Sequence, residues 1–463
     1  MRRAPLPPPP GPARPRRRAV LQAGGIAAAG AWLAPAPATA QGVAQDGALD
    51  GTQGPRLALL LGNRDYPAPH DLPPIPKNLR DLQVALADKG FQVSSAVDLP
   101  LERSRSMLDA FIEQVAKSPA NTTVLFYFCG HGVQVDAANL LISAGINPAA
   151  PADQIQKGSL QLLGDVVARL PPRPDGMTIA VVDACRTSLR PTATAGDGGL
   201  NQVEAPPGCL IAFSTGAGRP AIAPAVETAN TFYTASLVKV LHSASGELSF
   251  SDLFRLVKID VEQTMLAHPV EAIRKLVQRP FIAENTRRSI ALLPRAAKPA
   301  ELPREEGADW QRLEASSWPA EVVQLANAFE KAWPTSRYAA PLKVMRAGAE
   351  EAVRALQRPD VRLFRSAFQP QPGDPDDQRQ DQLRAARGDK DAAARLARRV
   401  AGSNRGRYEG WLQLATALGN GIAAYELALA YRANDQPQLA AQFEARARDL
   451  GYNPPPSLDN VRK

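Results

Sequence analysis

At 463 residues the chain is longer than one ordinary domain, and a 44% hydrophobic content is ample for real cores. Its formal net charge of +8 is concentrated at one end. Arg2, Arg3, Arg14, Arg16, Arg17 and Arg18 fall within the first 40 residues, which carry no acid, and leave 48 basic against 46 acidic residues beyond them. A body that close to neutrality gives little support to a basic nucleic-acid-binding reading, so no nucleic-acid partner is expected. The three cysteines and four histidines show no zinc-type spacing, and neither a metal centre nor a cofactor is expected.

Residues 1–40 read as a targeting segment. Arg17-Arg18-Ala19-Val20-Leu21-Gln22 resembles a twin-arginine export motif, an Ala/Gly-rich apolar stretch follows to Leu33, and Ala38-Thr39-Ala40 supplies the small residues that signal peptidase requires. The competing reading is an uncleaved anchor. The apolar run from Ala19 to Ala34 is only 16 residues and includes Gln22, which is short for a span. Export followed by cleavage after Ala40 is expected, giving a periplasmic or secreted protein with no stable membrane span. Residues 41–54 form a Gly/Gln/Ala-rich lead-in.

From Arg56 the chain alternates strand-like and helix-like segments. Arg56 to Asn63 is a buried-strand run with a Gly-Asn stop, and a Pro-rich loop follows from Pro67 to Pro76. Leu79 to Gly90 has helical spacing, Phe91 to Asp98 is a short strand, and Leu101 to Val115 is an amphipathic helix. Thr122 to Phe128 is an unbroken β-branched, aliphatic and aromatic run stopped by Gly130, as in a buried parallel strand. Asn139 to Ser143 reads as a hairpin arm, Leu160 to Leu170 as a helix, and Met177 to Asp183 as a second buried strand. Arg190 to Pro207 reads as an exposed loop and Cys209 to Thr215 as another strand. Phe232 to His242 and Phe250 to Met265 read as helices, and Ser289 to Leu293 as a last strand. This order predicts an α/β fold with about six mostly parallel strands flanked by helices.

Two of these strands end in chemistry. Gly130-His131-Gly132 places an imidazole after one, and Ala184-Cys185-Arg186 places a thiol after the other. If the strands are parallel neighbours, both groups emerge at the carboxyl edge, where open α/β sheets bind ligands. Either residue alone is more often structural than catalytic; together they point to a cysteine nucleophile with a histidine base. His70, His242 and His268 read as surface residues.

Phe126-Tyr127-Phe128-Cys129-Gly130-His131-Gly132-Val133-Gln134 and Val181-Val182-Asp183-Ala184-Cys185-Arg186 resemble the two catalytic segments of bacterial caspase-like peptidases, the metacaspase and paracaspase group. The similarity runs from about Arg56 to Leu293. It implies a caspase-like fold, a Cys185–His131 dyad, and an oxyanion hole from the backbone N–H groups of Gly132 and Cys185. It also implies an acidic pocket for the residue before the cut, formed by Asp183 and Asp81, with cleavage after Arg or Lys and protein or peptide substrates. Two carboxylates suit a guanidinium because Arg pairs with them bidentately. An N-cap or loop hydrogen bond is the competing reading for Asp183, and a first-turn helix position for Asp81. Cys129 stands where the family usually has a small alanine. Calcium dependence occurs among related metacaspases, and no ligand cluster is legible here.

The remainder reads as helical. Residues 295–308 form a Pro-rich, charged linker after a peptidase-like domain over 55–294, and residues 309–358 have helical period. A second linker covers 359–380. In 381–452, Gly388-Asp389-Lys390 and Gly419-Asn420-Gly421 mark similar helix–turn–helix segments about 31 residues apart. They resemble Sel-like tetratricopeptide-type repeats, which imply a protein partner. Residues 453–463 form a tail. A catalytically idle caspase-fold scaffold working through these helices is the alternative to an active endopeptidase.

Overall fold

The computed structural model describes residues 54–135, 138–188, 200–216, 221–244, 247–293 and 303–454, and for residues 185–188 it describes the backbone alone. The export segment and Arg190 lie outside the described residues.

The peptidase-like part runs β1 (Arg56–Gly62), α1 (Ile75–Ala87), β2 (Phe91–Val97), α2 (Leu101–Ala116), β3 (Thr123–Val135), β4 (Ala138–Ile142), α3 (Ala152–Lys157), β5 (Ser159–Gln161), β6 (Met177–Ser188), β7 (Cys209–Phe213), α4 (Phe232–Ser243), α5 (Phe250–Leu266), α6 (Glu271–Lys275) and β8 (Phe281–Glu284). The sheet order is β2-β1-β3-β6-β7-β8, with β4 and β5 branching from the end of β3. Pairs β1–β2, β1–β3, β3–β6 and β6–β7 are parallel, and β7–β8 is antiparallel. The architecture is therefore mixed α/β with a mostly parallel sheet, as its alternating elements predict.

Period-2 alternation sorts each strand between two cores. Leu60, Tyr127, Cys129 and Val181 pack with Leu82 of α1, Leu237 of α4 and Phe254 of α5. Leu59, Phe126, Phe128 and Val182 face Leu108, Phe111 and Val115 of α2. Because both faces are covered, the central strands read as continuous apolar runs rather than alternating ones.

Three expectations need correcting. The loop expected to be exposed over Arg190–Pro207 is buried at Leu200, Asn201, Gln202, Val203 and Ala205, where apolar side chains join the sheet core and Asn201 and Gln202 bond to the C-terminal region. The helix expected over Leu160–Leu170 is instead β5, a π-turn at Leu162–Val166 and a 3-10 turn at Val167–Arg169. Leu160 and Leu162 are buried on either side of the less buried Gln161, and the Asp165 carboxylate accepts from the Gln161 amide and locks that start. The last strand is Phe281–Glu284, not Ser289–Leu293. Ala291 makes a lone bridge to Ser249, while the Arg56 guanidinium takes the carbonyls of Ala291 and Leu292 that a ladder would otherwise use.

The C-terminal region is helical throughout its described residues: α7 (Arg304–Ala315), α8 (Pro319–Ala332), α9 (Ala339–Leu356), α10 (Asp376–Ala386), α11 (Lys390–Val400), α12 (Arg405–Ala417), α13 (Gly421–Ala433) and α14 (Pro437–Asp449). Asp389 and Asn420 cap α11 and α13 through their side-chain oxygens. These helices cover the open edge of the sheet. Asp391 accepts from the Glu284 amide, Arg395 donates to the Glu284 carbonyl, and Lys390 sits over the Phe281 ring. An uncovered edge strand is a template for pairing with other chains, so this capping also protects solubility. The Glu284 carboxylate is 3% exposed and pairs with Arg255 at 2.8 Å. Burial alone would push its pKa up, but the Arg255 and Arg384 charges and the Ser251 and Thr286 hydroxyls together outweigh that and hold it down at about 2. Removing one partner of such a buried pair costs about 3–5 kcal/mol, since it strands the other charge.

Gly348 of α9 lets the α10–α11 turn approach closely. A Cβ there would lie 2.0 Å from the Arg387 carbonyl oxygen. Gly348→Ala is therefore expected to lower the urea midpoint by about 1–3 kcal/mol equivalent. An unchanged midpoint would show that the two helices separate freely.

Candidate active site

The parallel register of β3 and β6 is continuous and places Cys129 opposite Asp183 and His131 opposite Cys185. In paired strands, positions in register belong to the same face. The two rungs therefore continue, toward the carboxyl edge, the face on which Tyr127 and Val181 pack. This is the juxtaposition the two sequence segments imply.

Tyr66, in the loop after β1, builds the surroundings of His131. Its hydroxyl accepts from the His131 amide at 3.1 Å and donates to the Ile142 carbonyl at 3.0 Å, and its ring meets the imidazole edge-on at 4.5 Å between centroids. Asn63 Nδ2 donates to the same Ile142 carbonyl. Gly130 is required by this packing: a Cβ would lie 2.7 Å from the Tyr66 hydroxyl and 2.9 Å from the Phe128 ring.

The His131 ring has a defined tautomer. Nε2 lies 2.8 Å from the backbone carbonyl of His70, and a carbonyl can only accept, so Nε2 carries the proton. Nδ1 is then the lone-pair nitrogen of the neutral ring. Burial lowers the His131 pKa below its ordinary 6.5; the carbonyl bond pulls the other way and loses. The site thus holds a neutral imidazole at physiological pH, the form a general base needs. His70 is consequently not a plain surface residue: its main chain orients the His131 imidazole, a role that no side-chain pattern signals.

Asp183 is 3% exposed. Its Oδ2 accepts from Thr231 Oγ1 at 2.5 Å and Thr234 Oγ1 at 2.7 Å, both at the start of α4. Burial raises its pKa, against the opposing effect of these hydroxyls. Since the Thr234 hydroxyl donates to Asp183, the Tyr127 hydroxyl donates to it in turn, at 2.7 Å. Asn78 of α1 donates to Cys129 Sγ at 3.3 Å and to Thr231 Oγ1 at 3.2 Å. Cys129 is thus a buried hydrogen-bond acceptor as well as a core filler. Asp81 lies one turn further along α1, half-exposed, and accepts from Lys77 at 2.6 Å and Asn230 at 2.9 Å. The two acids therefore meet adjacent residues, Asn230 and Thr231. Asn230 Oδ1 is buried near them and has no hydrogen-bond partner among the described residues, while the Ser214 hydroxyl, like those of the two threonines, favours the charged form of Asp183. Ser214 follows β7, its amide bonded to the Val182 carbonyl.

Gly132 is in register with Arg186 of β6 and Leu141 of β4. Among the described residues there is no group of three or more His, Cys, Asp or Glu that could hold a metal ion, and no helix long and apolar enough to cross a membrane.

The sheet order and the strand register bring the imidazole and residue 185 to adjacent strands at the carboxyl edge of a mostly parallel α/β sheet. The chain belongs to the caspase domain family, the cysteine peptidases of the C14 class, whose family model matches residues 55–290. Among solved structures it is similar to caspase-1 from Spodoptera frugiperda, with 15% identity and a TM-score of 0.39, over 53% of this chain and 94% of that one. No curated protein matches the chain.

Two outcomes follow from the His131 environment. Tyr66→Phe keeps the ring and removes both hydrogen bonds; chemical denaturation should show a loss of about 1–3 kcal/mol, and a wild-type midpoint would contradict the assigned bonds. Because the folded His131 pKa is depressed, the unfolded chain takes up a proton first as pH falls below 6.5. The stability that His131 contributes is thus full above that value and is lost as pH falls through the window beneath it. Comparing wild type with His131→Gln across pH 7 to 5 should show wild type losing more stability.

Proposed function

We propose that the chain is a caspase-like cysteine endopeptidase of metacaspase or paracaspase type that cleaves after Arg or Lys. The observation that carries this reading is the β3–β6 register, which sets His131 opposite Cys185 at the carboxyl edge of the sheet. In the proposed reaction His131 Nδ1 removes the Cys185 thiol proton, and the thiolate attacks the scissile carbonyl. The backbone N–H groups of Gly132 and Cys185 hold the oxyanion. The imidazolium protonates the leaving amine, and water, activated by the same base, then hydrolyses the thioester.

The preference for Arg or Lys rests on Asp183 and Asp81. They meet adjacent residues, and the buried, unpartnered Oδ1 of Asn230 lies beside them. A buried polar atom without a partner calls for an explanation, and a guanidinium supplies donors to that oxygen and to the carboxylates. Lys77 already neutralises part of Asp81, so Asp183 is the dominant acid of the pair. The 31-residue spacing of the Asp389 and Asn420 turns supports Sel-like repeats with a protein partner. Export through the twin-arginine segment places the mature chain in the periplasm or outside the cell. No resident cofactor is proposed, and calcium, on which related metacaspases depend, is a variable of the test below.

A fluorogenic peptide library with and without calcium, beside Cys185→Ala, tests the proposal. Cleavage after Arg should exceed cleavage after Asp, and Cys185→Ala should lose more than about a thousandfold in rate. Faster cleavage after Asp would refute the acidic pocket. No cleavage by the wild-type chain under either condition would favour the idle scaffold.

A further inference from the structure

Where the described chain resumes after β6, Asn201 and Gln202 are buried and hydrogen-bonded to the C-terminal region. Gln202 is 6% exposed. Its Nε2 donates to the Gly419 carbonyl at 2.9 Å and the Leu450 carbonyl at 2.7 Å, and its Oε1 accepts from the Gly421 amide at 2.7 Å. Its own amide donates to the Gly451 carbonyl. One side chain thus satisfies the open ends of α12, α13 and α14. Arg398 of α11 adds an ion pair to Glu204 and another to Glu426.

Asn201 continues the chain of contacts toward the sheet. Its side chain pairs reciprocally with the Asn453 main chain: Nδ2 donates to the carbonyl at 3.1 Å, and Oδ1 accepts from the amide at 2.9 Å. Its own main chain pairs in the same way with the Asn139 side chain, at 2.7 and 3.1 Å. Asn139 lies on β4 in register with Gln134 of β3, and Asn453 Nδ2 also donates to Gln134 Oε1 at 3.4 Å. The β3–β4 hairpin held in this way contains His131 and the Ile142 carbonyl that anchors Tyr66.

We infer that Asn201 and Gln202 are positioning residues through which the C-terminal helices set the β3–β4 hairpin, and with it the His131 base. The inference rests on the peptidase reading of the same site. The polar bonds are directional and buried, so each costs more to leave unmade than it contributes when made, and the hairpin has one preferred placement while the helices hold them. A change at the turns before α13 or after α14 then reaches the imidazole without touching substrate. The C-terminal helices are on this account part of the catalytic apparatus.

The test uses the full chain with Asn201→Ala, which cuts the bonds to Asn453 and leaves those to Asn139, and separately Gln202→Ala. Arg-peptide kinetics give kcat and KM, and peptide mapping by mass spectrometry gives the rate of iodoacetamide labelling at Cys185. Expected in both variants are a kcat lowered about tenfold with KM little changed and an altered Cys185 labelling rate, with circular dichroism unchanged. Should Gln202→Ala fail to fold, Asn201→Ala alone decides. Wild-type kcat and labelling rate in folded variants would overturn the inference. If the wild-type chain cleaves no peptide, the peptidase reading fails, while the labelling rates still report whether the helices set the site.

Discussion

The unbroken parallel register between β3 and β6 is the constraint on which the site depends. From Thr123 opposite Met177 to Gln134 opposite Ser188, no bulge intervenes. Because side chains alternate with a period of two, a one-residue slip would carry the core residues of either strand to the opposite face. Tyr127 and Val181 on one face, and Phe126 and Val182 on the other, make that slip prohibitively unfavourable. The hydrophobic cores that hold the sheet therefore also hold residue 131 opposite residue 185. Burial of ordinary aliphatic and aromatic groups sets the position, and polar contacts refine it.

Those polar contacts are concentrated where the strands leave the cores. Asp183 sits under two threonine hydroxyls, Tyr66 ties the His131 amide to β4, and the His70 carbonyl fixes the imidazole tautomer. Each group lies in low-dielectric surroundings, where an unmade hydrogen bond costs more than a made one contributes. The same logic governs the attachment of the C-terminal helices. Arg255, Glu284, Asp389, Asp391 and Arg395 form a buried charged seam along β8. A seam of that kind disfavours separation, because opening it would leave paired charges to find other partners.

Much of this was legible in the residues themselves. The apolar runs of β1, β3, β6 and β7 and the Gly-His-Gly and Ala-Cys-Arg strand ends carried the sheet and the two segments at its carboxyl edge. What escaped was encoded in main-chain atoms or long-range partners. The His70 carbonyl belongs to a residue whose side chain is not the point, and a Pro-rich loop gives no periodicity to read. Tyr66 carries no local signal, because its two partners lie 65 and 76 positions away. Phe281–Glu284 was passed over for Ser289–Leu293, since a four-residue edge strand is too short for a pattern, and the competing segment's carbonyls are claimed by Arg56, which lies over 230 residues earlier. The bonds of Asn201 and Gln202 to the chain just after the last helix are of the same type, between groups some 250 residues apart.

The central claim is that one thiol out of three is a nucleophile paired with His131 and served by an acidic pocket. The most direct measurement is labelling of the mature chain with a peptidyl-arginyl chloromethyl ketone, followed by mass mapping of the modified residue, with the aspartyl analogue alongside. The account predicts one equivalent of the arginyl reagent on Cys185, lost in His131→Ala, and slower reaction of the aspartyl reagent. Modification of Cys129 or Cys209 instead, or equal reaction of the two reagents, would contradict it.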